Sequence, residues 1–215
     1  MALLSNEDRE YLKGLFTEMK RNVNILLFTT EEKEFSGFCD DIKVILSELE
    51  SISDKIKIKE YSFEKNRDEV EKFKVKRGPT LVLMAEKDLG VKYYGIPAGY
   101  EFSSLVEDIV DIGNDTIAID ENILERVKLI NKPVNIQVFV THTCPYCPSA
   151  VRTAHKFAMA NKNITADMID ANTFYDYANK YGVQGVPRVV INENNHFEGA
   201  LPEEEYLKQI LNALK

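Results

Sequence analysis

The chain has 215 residues, 44% hydrophobic and 29% charged, a balance that suits a folded globular protein of one large domain or two of about 100 residues. A net charge of −8 argues against nucleic acid as a main partner, and no apolar run approaches the roughly 20 residues needed to cross a bilayer. Three cysteines do not make a secreted disulfide framework, and the opening Met1-Ala2-Leu3-Leu4-Ser5-Asn6-Glu7-Asp8 turns acidic without a basic flank, so a cytoplasmic protein with no signal peptide is expected.

In chain order, Ser5-Asn6-Glu7-Asp8 resembles a capping box with Asp in place of Glu, and Leu12, Leu15, Phe16 and Met19 then form a helical stripe to about Lys20. Val23–Phe28 reads as a buried strand, Thr29–Glu34 as a polar loop, and Phe38, Ile42, Ile45, Leu46 and Leu49 as the apolar face of a helix. Lys55–Tyr61 alternates polar and apolar, which predicts a half-buried strand, and the charged Glu64–Phe73 an exposed helix. Gly78-Pro79, the strands Thr80–Ala85 and Val91–Tyr94, and a helix through Phe102, Leu105, Val106 and Ile109 complete the first half. Ile112–Thr116 is short and turn-rich, the best candidate for a linker. Beyond it, Asp120 is placed to cap a helix carrying Ile123, Leu124, Val127 and Ile130. Then follow the strand Val134–Val140, a loop, a helix, the strand Ile164–Ile169, the helix Phe174–Tyr181, a Gly-rich turn, two strands and a last helix.

The second half therefore repeats the order of the first. Cys39 and Cys147 are separated by the same number of residues as Pro79 and Pro187, and Leu81-Val82-Leu83 falls in register with Val189-Val190-Ile191. Two copies of one βαβ-plus-hairpin unit are expected, residues 1–115 and 116–215.

The chemistry concentrates in Cys144-Pro145-Tyr146-Cys147, between the β-branched run Val134–Val140 and a helical stripe of Cys147, Ala150, Val151, Ala154 and Phe157. A C-x-x-C at a strand-to-helix junction reads as a thiol–disulfide site, because residues three apart at a helix start share a face and bring two sulfurs within bonding reach. Cys144, at the N-terminal end, lies where unpaired backbone N–H groups favour a thiolate, with Cys147 one turn deeper to resolve the mixed disulfide. Pro145 suits the first helical position, and Pro148 is less comfortable there. A zinc site needs four ligands, and only Cys39 and three histidines stand beside the pair. A structural disulfide closing so short a loop contributes little. His142 is expected as a solvent-facing loop residue and His155 as a structural one.

On Thr143-Cys144-Pro145-Tyr146-Cys147-Pro148, Ala150-Val151-Arg152, Ala154–Phe157 and Gly185-Val186-Pro187, the chain resembles the thioredoxin superfamily, and within it the two-unit glutaredoxin-like protein disulfide oxidoreductases. The resemblance implies an α/β fold of two tandem thioredoxin-like units, each a mixed central sheet flanked by helices. It implies a cis Pro187 facing the dithiol, a Val186 backbone that pairs with bound substrate, and a Tyr146 that contacts partners. The thioredoxins' buried acid, six residues before the first cysteine, is replaced here by Val138. In the first unit Ser36-Gly37-Phe38-Cys39 departs from the pattern. Ser36 takes the place of the nucleophile and Cys39 that of the buried cysteine, so this unit is expected to keep its fold without a redox centre.

The expected function is thiol–disulfide exchange with protein disulfides through Cys144 and Cys147, with no cofactor beyond that pair and no metal. The direction stays open, since potentials span about −270 to about −120 mV among relatives. A thioredoxin-reductase-like flavoenzyme as reductant is implied by the resemblance. The alternatives are an electron shuttle between a flavoprotein reductase and a peroxiredoxin, and a non-catalytic binding or chaperone-like module.

Overall fold

The computed structural model describes residues 4–215; Met1, Ala2 and Leu3, on which the reading of the N-terminus partly rests, lie outside them. The elements in order are α1 (Asn6–Thr17), β1 (Val23–Thr29), a 3-10 turn (Lys33–Phe35), α2 (Ser36–Ile52), β2 (Ile56–Ser62), α3 (Arg67–Lys72), β3 (Thr80–Met84), β4 (Asp88–Tyr94) and α4 (Glu101–Asn114). The second half supplies α5 (Glu121–Lys128), β5 (Val134–Val140), α6 (Cys147–Ala160), β6 (Ile164–Asp170), α7 (Tyr175–Lys180), β7 (Arg188–Ile191), β8 (Asn195–Glu198) and α8 (Glu203–Ala213). The local signals act as expected. Ser5 and Asp8 close a reciprocal capping box on α1, and the Asp120 carboxylate accepts from the backbone N–H groups of Asn122 and Ile123 on α5.

All eight strands join one mixed sheet in the order β2-β1-β3-β4-β6-β5-β7-β8. Each half repeats one arrangement, a parallel pair (β1 with β2, β5 with β6) followed by an antiparallel hairpin. The halves are welded where β4 pairs parallel with β6, from Val91 opposite Ala166 to Tyr94 opposite Ile169. Residues alternate across a strand, so each strand feeds two cores. Ile25, Leu81, Val91, Tyr93, Ile136, Ala166 and Val189 meet α1, α2, α4, α5, α6 and α8 in one core that runs through both halves. On the opposite face, α3 covers Leu26, Phe28 and Val82, and α7 covers Tyr94, Phe139, Ile169 and Val190. Among the described residues no helix is long and apolar enough to cross a membrane.

The expected linker looks different. Ile112, Gly113 and Asn114 are the last turn of α4, because Ile112 is buried in the core and Gly113 packs directly on the Met19 side chain. The Gly113 carbonyl accepts from the N–H groups of Lys20 and Arg21, and the Arg21 side chain bonds the Ile112 carbonyl at 2.7 Å. The chain turns only at Asp115, in the left-handed region.

Between α4 and α6 lies a buried polar cluster. Tyr93 donates its hydroxyl to Asp108, His155 donates Nδ1–H to the same carboxylate at 2.5 Å, and Arg152 pairs with Asp108, Asp111 and Glu107. Burial, reinforced by Arg152, pushes the His155 pKa down to about 3, so the ring is neutral. A buried carboxylate stripped of its guanidinium leaves an uncompensated charge. Arg152→Met is therefore expected to lose about 3–5 kcal/mol of stability in urea denaturation; a change below about 1 kcal/mol would show that the cluster is held by its neutral hydrogen bonds alone.

Candidate active site

β5 delivers the chain to the cysteines. The turn after Val140 is closed by the N–H of Cys144 donating to the Thr141 carbonyl at 3.1 Å, and α6 begins at Cys147, with Tyr146 at the cap position. This corrects the expected place of the prolines. Pro145 precedes the helix, and it is Pro148 that occupies the first turn, where a missing N–H leaves no bond unmade. Cys144 and Cys147 form a disulfide, with 5.5 Å between their Cα atoms. Cys147 is fully enclosed, and Cys144 is the more accessible sulfur at 7% exposure.

The Val186–Pro187 bond is cis, as is Gly78–Pro79 at the corresponding place in the first half. The loop sets the Val186 carbonyl oxygen 3.7 Å from Cys144 Sγ. In the disulfide this is a contact only, since that sulfur has no proton to donate; the thiol would have one. A cleft of about 210 Å³ runs beside the loop, lined by Thr141, Tyr175, Gly185 and Val186 among others. Tyr146 stands out from the motif, 71% exposed, and Tyr175 is also exposed.

His142 is not the solvent-facing residue expected. Its Nε2 lies 3.1 Å from both the Asp170 carboxylate and the Ile96 carbonyl, and its backbone carbonyl accepts from the N–H of Tyr100 at 3.1 Å. Gly99, at φ +59°, permits that approach, because a Cβ there would sit 2.9 Å from the His142 carbonyl carbon. Burial works to raise the Asp170 carboxyl, but hydrogen bonds from His142 and Thr173 outweigh it and hold it below its usual range.

The same strap from the first half brings in a residue that the linear pattern missed. Glu101, first in α4, is fully buried, and neither carboxylate oxygen has a hydrogen-bond partner among the described residues. Burial pushes its carboxyl up to about 7, against the pull of the nearby Ser104 hydroxyl and His142. No acid precedes Cys144 on β5, where Val138 is buried, and the buried Glu101, beside His142, comes from the other half. A signal did exist: Glu101, Ser104 and Asp108 interrupt the apolar stripe of Leu105, Ile109 and Ile112.

In the first half, Ser36 starts α2 on the surface with its hydroxyl donated to the Lys33 carbonyl at 2.9 Å. Cys39 is a buried free cysteine whose thiol burial pushes up. Among the described residues no group of three or more His, Cys, Asp or Glu side chains is arranged to hold a metal ion.

Among solved structures, a protein disulfide oxidoreductase from Aeropyrum pernix is 31% identical with a TM-score of 0.89, over 97% of this chain and 93% of that one. The chain belongs to the protein disulfide oxidoreductases of the thioredoxin superfamily. A thioredoxin domain family model matches residues 134–212, the half with the disulfide. The NTD N/C domain of alkylhydroperoxide reductase AhpF from Enterococcus faecalis shares the fold, with a TM-score of 0.88 and 22% identity over 96% of this chain and 99% of that one. A curated NADH dehydrogenase from Bacillus subtilis is 29% identical over 171 residues, 79% of this chain and 31% of that protein. A curated alkyl hydroperoxide reductase from Staphylococcus aureus is 24% identical over 209 residues, 97% of this chain and 38% of that protein. The chain thus spans about a third of the length of these curated relatives.

The His142–Asp170 pair makes a stability prediction. The hydrogen bond to Asp170, set against burial, raises the His142 pKa above its ordinary 6.5. A raised histidine contributes fully below the ordinary value and loses that contribution as pH rises through the folded one. The lowered Asp170 sets the opposite limit, its contribution fading as pH falls through its folded value. Thermal melts from about pH 6 to about pH 9 should therefore show the protein losing stability from this pair, and His142→Gln should flatten that fall; an unchanged slope in the variant would refute the assignment.

Proposed function

We propose that the protein exchanges disulfides with protein substrates through Cys144 and Cys147. The observation that carries this reading is the bonded pair at the β5–α6 junction, with the outer sulfur beside the Val186 carbonyl and an open cleft. In the reducing direction the Cys144 thiolate attacks a substrate disulfide, forming a mixed disulfide and expelling one substrate thiolate. Cys147, as thiolate, then attacks Cys144 Sγ, expelling the second substrate thiolate and closing the Cys144–Cys147 bond. Two electrons pass to the substrate, whose two thiolates take up protons. Glu101, with a carboxyl near neutrality, is suited to accept the proton of the enclosed Cys147 thiol and return it when the pair is reduced. Pro145 and Tyr146 present the motif to the partner, and the Val186 backbone beside cis Pro187 holds an extended substrate segment.

The unit 1–115 supports this centre without a dithiol of its own, Ser36 being no comparable nucleophile without a base; the unit 116–215 holds the Cys-Pro-Tyr-Cys motif. We place the protein in the cytoplasm on its cysteine usage. It uses no bound cofactor, and its electrons come from a thioredoxin-reductase-like flavoenzyme. A second reading, transfer from such a flavoprotein to a peroxiredoxin, is favoured by the similarity to the staphylococcal alkyl hydroperoxide reductase over nearly the whole chain.

Cys144→Ser should reduce insulin at least 100-fold more slowly, whereas Cys147→Ser should stop after one turnover with substrate trapped on Cys144. Undiminished reduction by Cys144→Ser would end the proposal. A peroxiredoxin disulfide reduced much faster than insulin would select the second reading, and equal rates the first. Glu101→Gln should slow release of the mixed disulfide about 100-fold and remove an ionisation near 7 from its pH profile; a profile that keeps that ionisation would exclude Glu101 from the proton path.

A further inference from the structure

The face of the sheet that bears α3 and α7 is left uncovered at the seam. There a cleft of about 380 Å³ opens over β4, β5 and β6, far from the disulfide: Asn135 in its wall is five residues before the end of β5, roughly 17 Å away at the strand rise. Four lysines line it in a chain of net charge −8: Lys74, Lys76 and Lys92 from the first half and Lys162 from the second. Lys92 decides what the cleft is for. It is only 3% exposed, yet it has neither an ion pair nor a side-chain hydrogen bond among the described residues. Its Nζ is not fully enclosed, so the ammonium opens into the cleft, where an anion would pair it.

The one carboxylate in the lining, Asp167, is Lys92's neighbour across the β4–β6 ladder but is already engaged. Its oxygen accepts from Asn135 Nδ2 at 2.9 Å and lies 3.7 Å from Lys76 Nζ. The amides are committed too. Asn163 donates to the Ile130 carbonyl, and Asn192 accepts from the Asn135 N–H and donates to Pro133. The free donors are thus the ammonium groups of Lys74, Lys92 and Lys162. Ammoniums are compact point charges with no planar fork to prefer a carboxylate, and they suit the many oxygens of phosphate. Their three positive charges exceed the roughly −2 of a single phosphate group, and the space is well above the ~10–15 Å³ that one water needs.

We propose that this seam cleft binds a small anion carrying two or more phosphate groups, with Lys92 at its floor and Lys74 and Lys162 at its mouth. The ligand bridges both halves of the chain and does not touch the dithiol.

The test is calorimetric titration of the full chain with sodium pyrophosphate, with orthophosphate and sulfate at matched ionic strength as controls. Saturable 1:1 binding is expected for pyrophosphate, at least tenfold tighter than for either control. Lys92→Met should weaken it at least tenfold, and Asp167→Asn, which removes the competing carboxylate, should tighten it several-fold. Should Lys92→Met fail to fold, the exposed double variant Lys74→Gln/Lys162→Gln tests the same site, with at least tenfold weaker binding and unchanged insulin reduction expected. The absence of saturable binding, controls that bind as tightly as pyrophosphate, or lysine variants that bind like wild type would each overturn the proposal.

Discussion

The parallel pairing of β4 with β6 is the constraint on which the rest depends. Without it the chain would be two small sheets, each with an exposed edge strand and its unpaired backbone groups. With it, α4 of the first half lies against α6 of the second, one apolar core runs through both, and the Asp108–Arg152–His155–Tyr93 cluster fills the contact between them. The weld also sets two further placements. It carries Gly99–Glu101 up to His142, ahead of the cysteines, and on the other face it brings lysines of both halves around one cleft.

The division of labour between the two sulfurs follows from burial. Cys147 is enclosed by the core beneath α6, so in the exchange we propose a substrate meets Cys144 first and Cys147 reacts inward, towards its neighbour. An enclosed thiol that must ionise needs a proton acceptor that is itself out of water. Glu101, buried beside His142 with a carboxyl raised by that burial, is the group we propose for it. His142 has another task. Tied to Asp170 at the end of β6 and to Ile96 after β4, it fixes the loop that the cysteines stand on.

What the sequence revealed divides along the range of the interactions. The eight strands, the caps at Ser5 and Asp120 and the cysteine motif are set by neighbours within a few residues, and periodicity finds them. The internal repeat is visible because both halves keep proline before their hairpins, at Pro79 and Pro187. The failures are longer in range. The last turn of α4 reads as a linker because Gly113 and Asn114 are turn residues, and only the Met19 side chain against Gly113 explains the glycine. The first position of α6 is misplaced by the sequence pattern, which favours Pro145 at the helix start, whereas the chain first closes a turn from Thr141 to Cys144 and the helix opens at Cys147 with Pro148 in its first turn. The polar break in the α4 stripe marks Glu101 as buried but not what it faces, and Lys92 and the His142–Asp170 pair depend on contacts between distant segments, which no window of sequence contains.

The first half has no cysteine pair, yet it is built into the surroundings of the disulfide. Its Ser36 hydroxyl donates to the Lys33 carbonyl, and Cys39 lies buried with its thiol pushed away from ionisation. Yet the hairpin and α4 of the same half supply the buried acid, the glycine that admits the His142 carbonyl, and half of the sheet on which the motif stands. Those contributions require the fold and none of them requires a second dithiol.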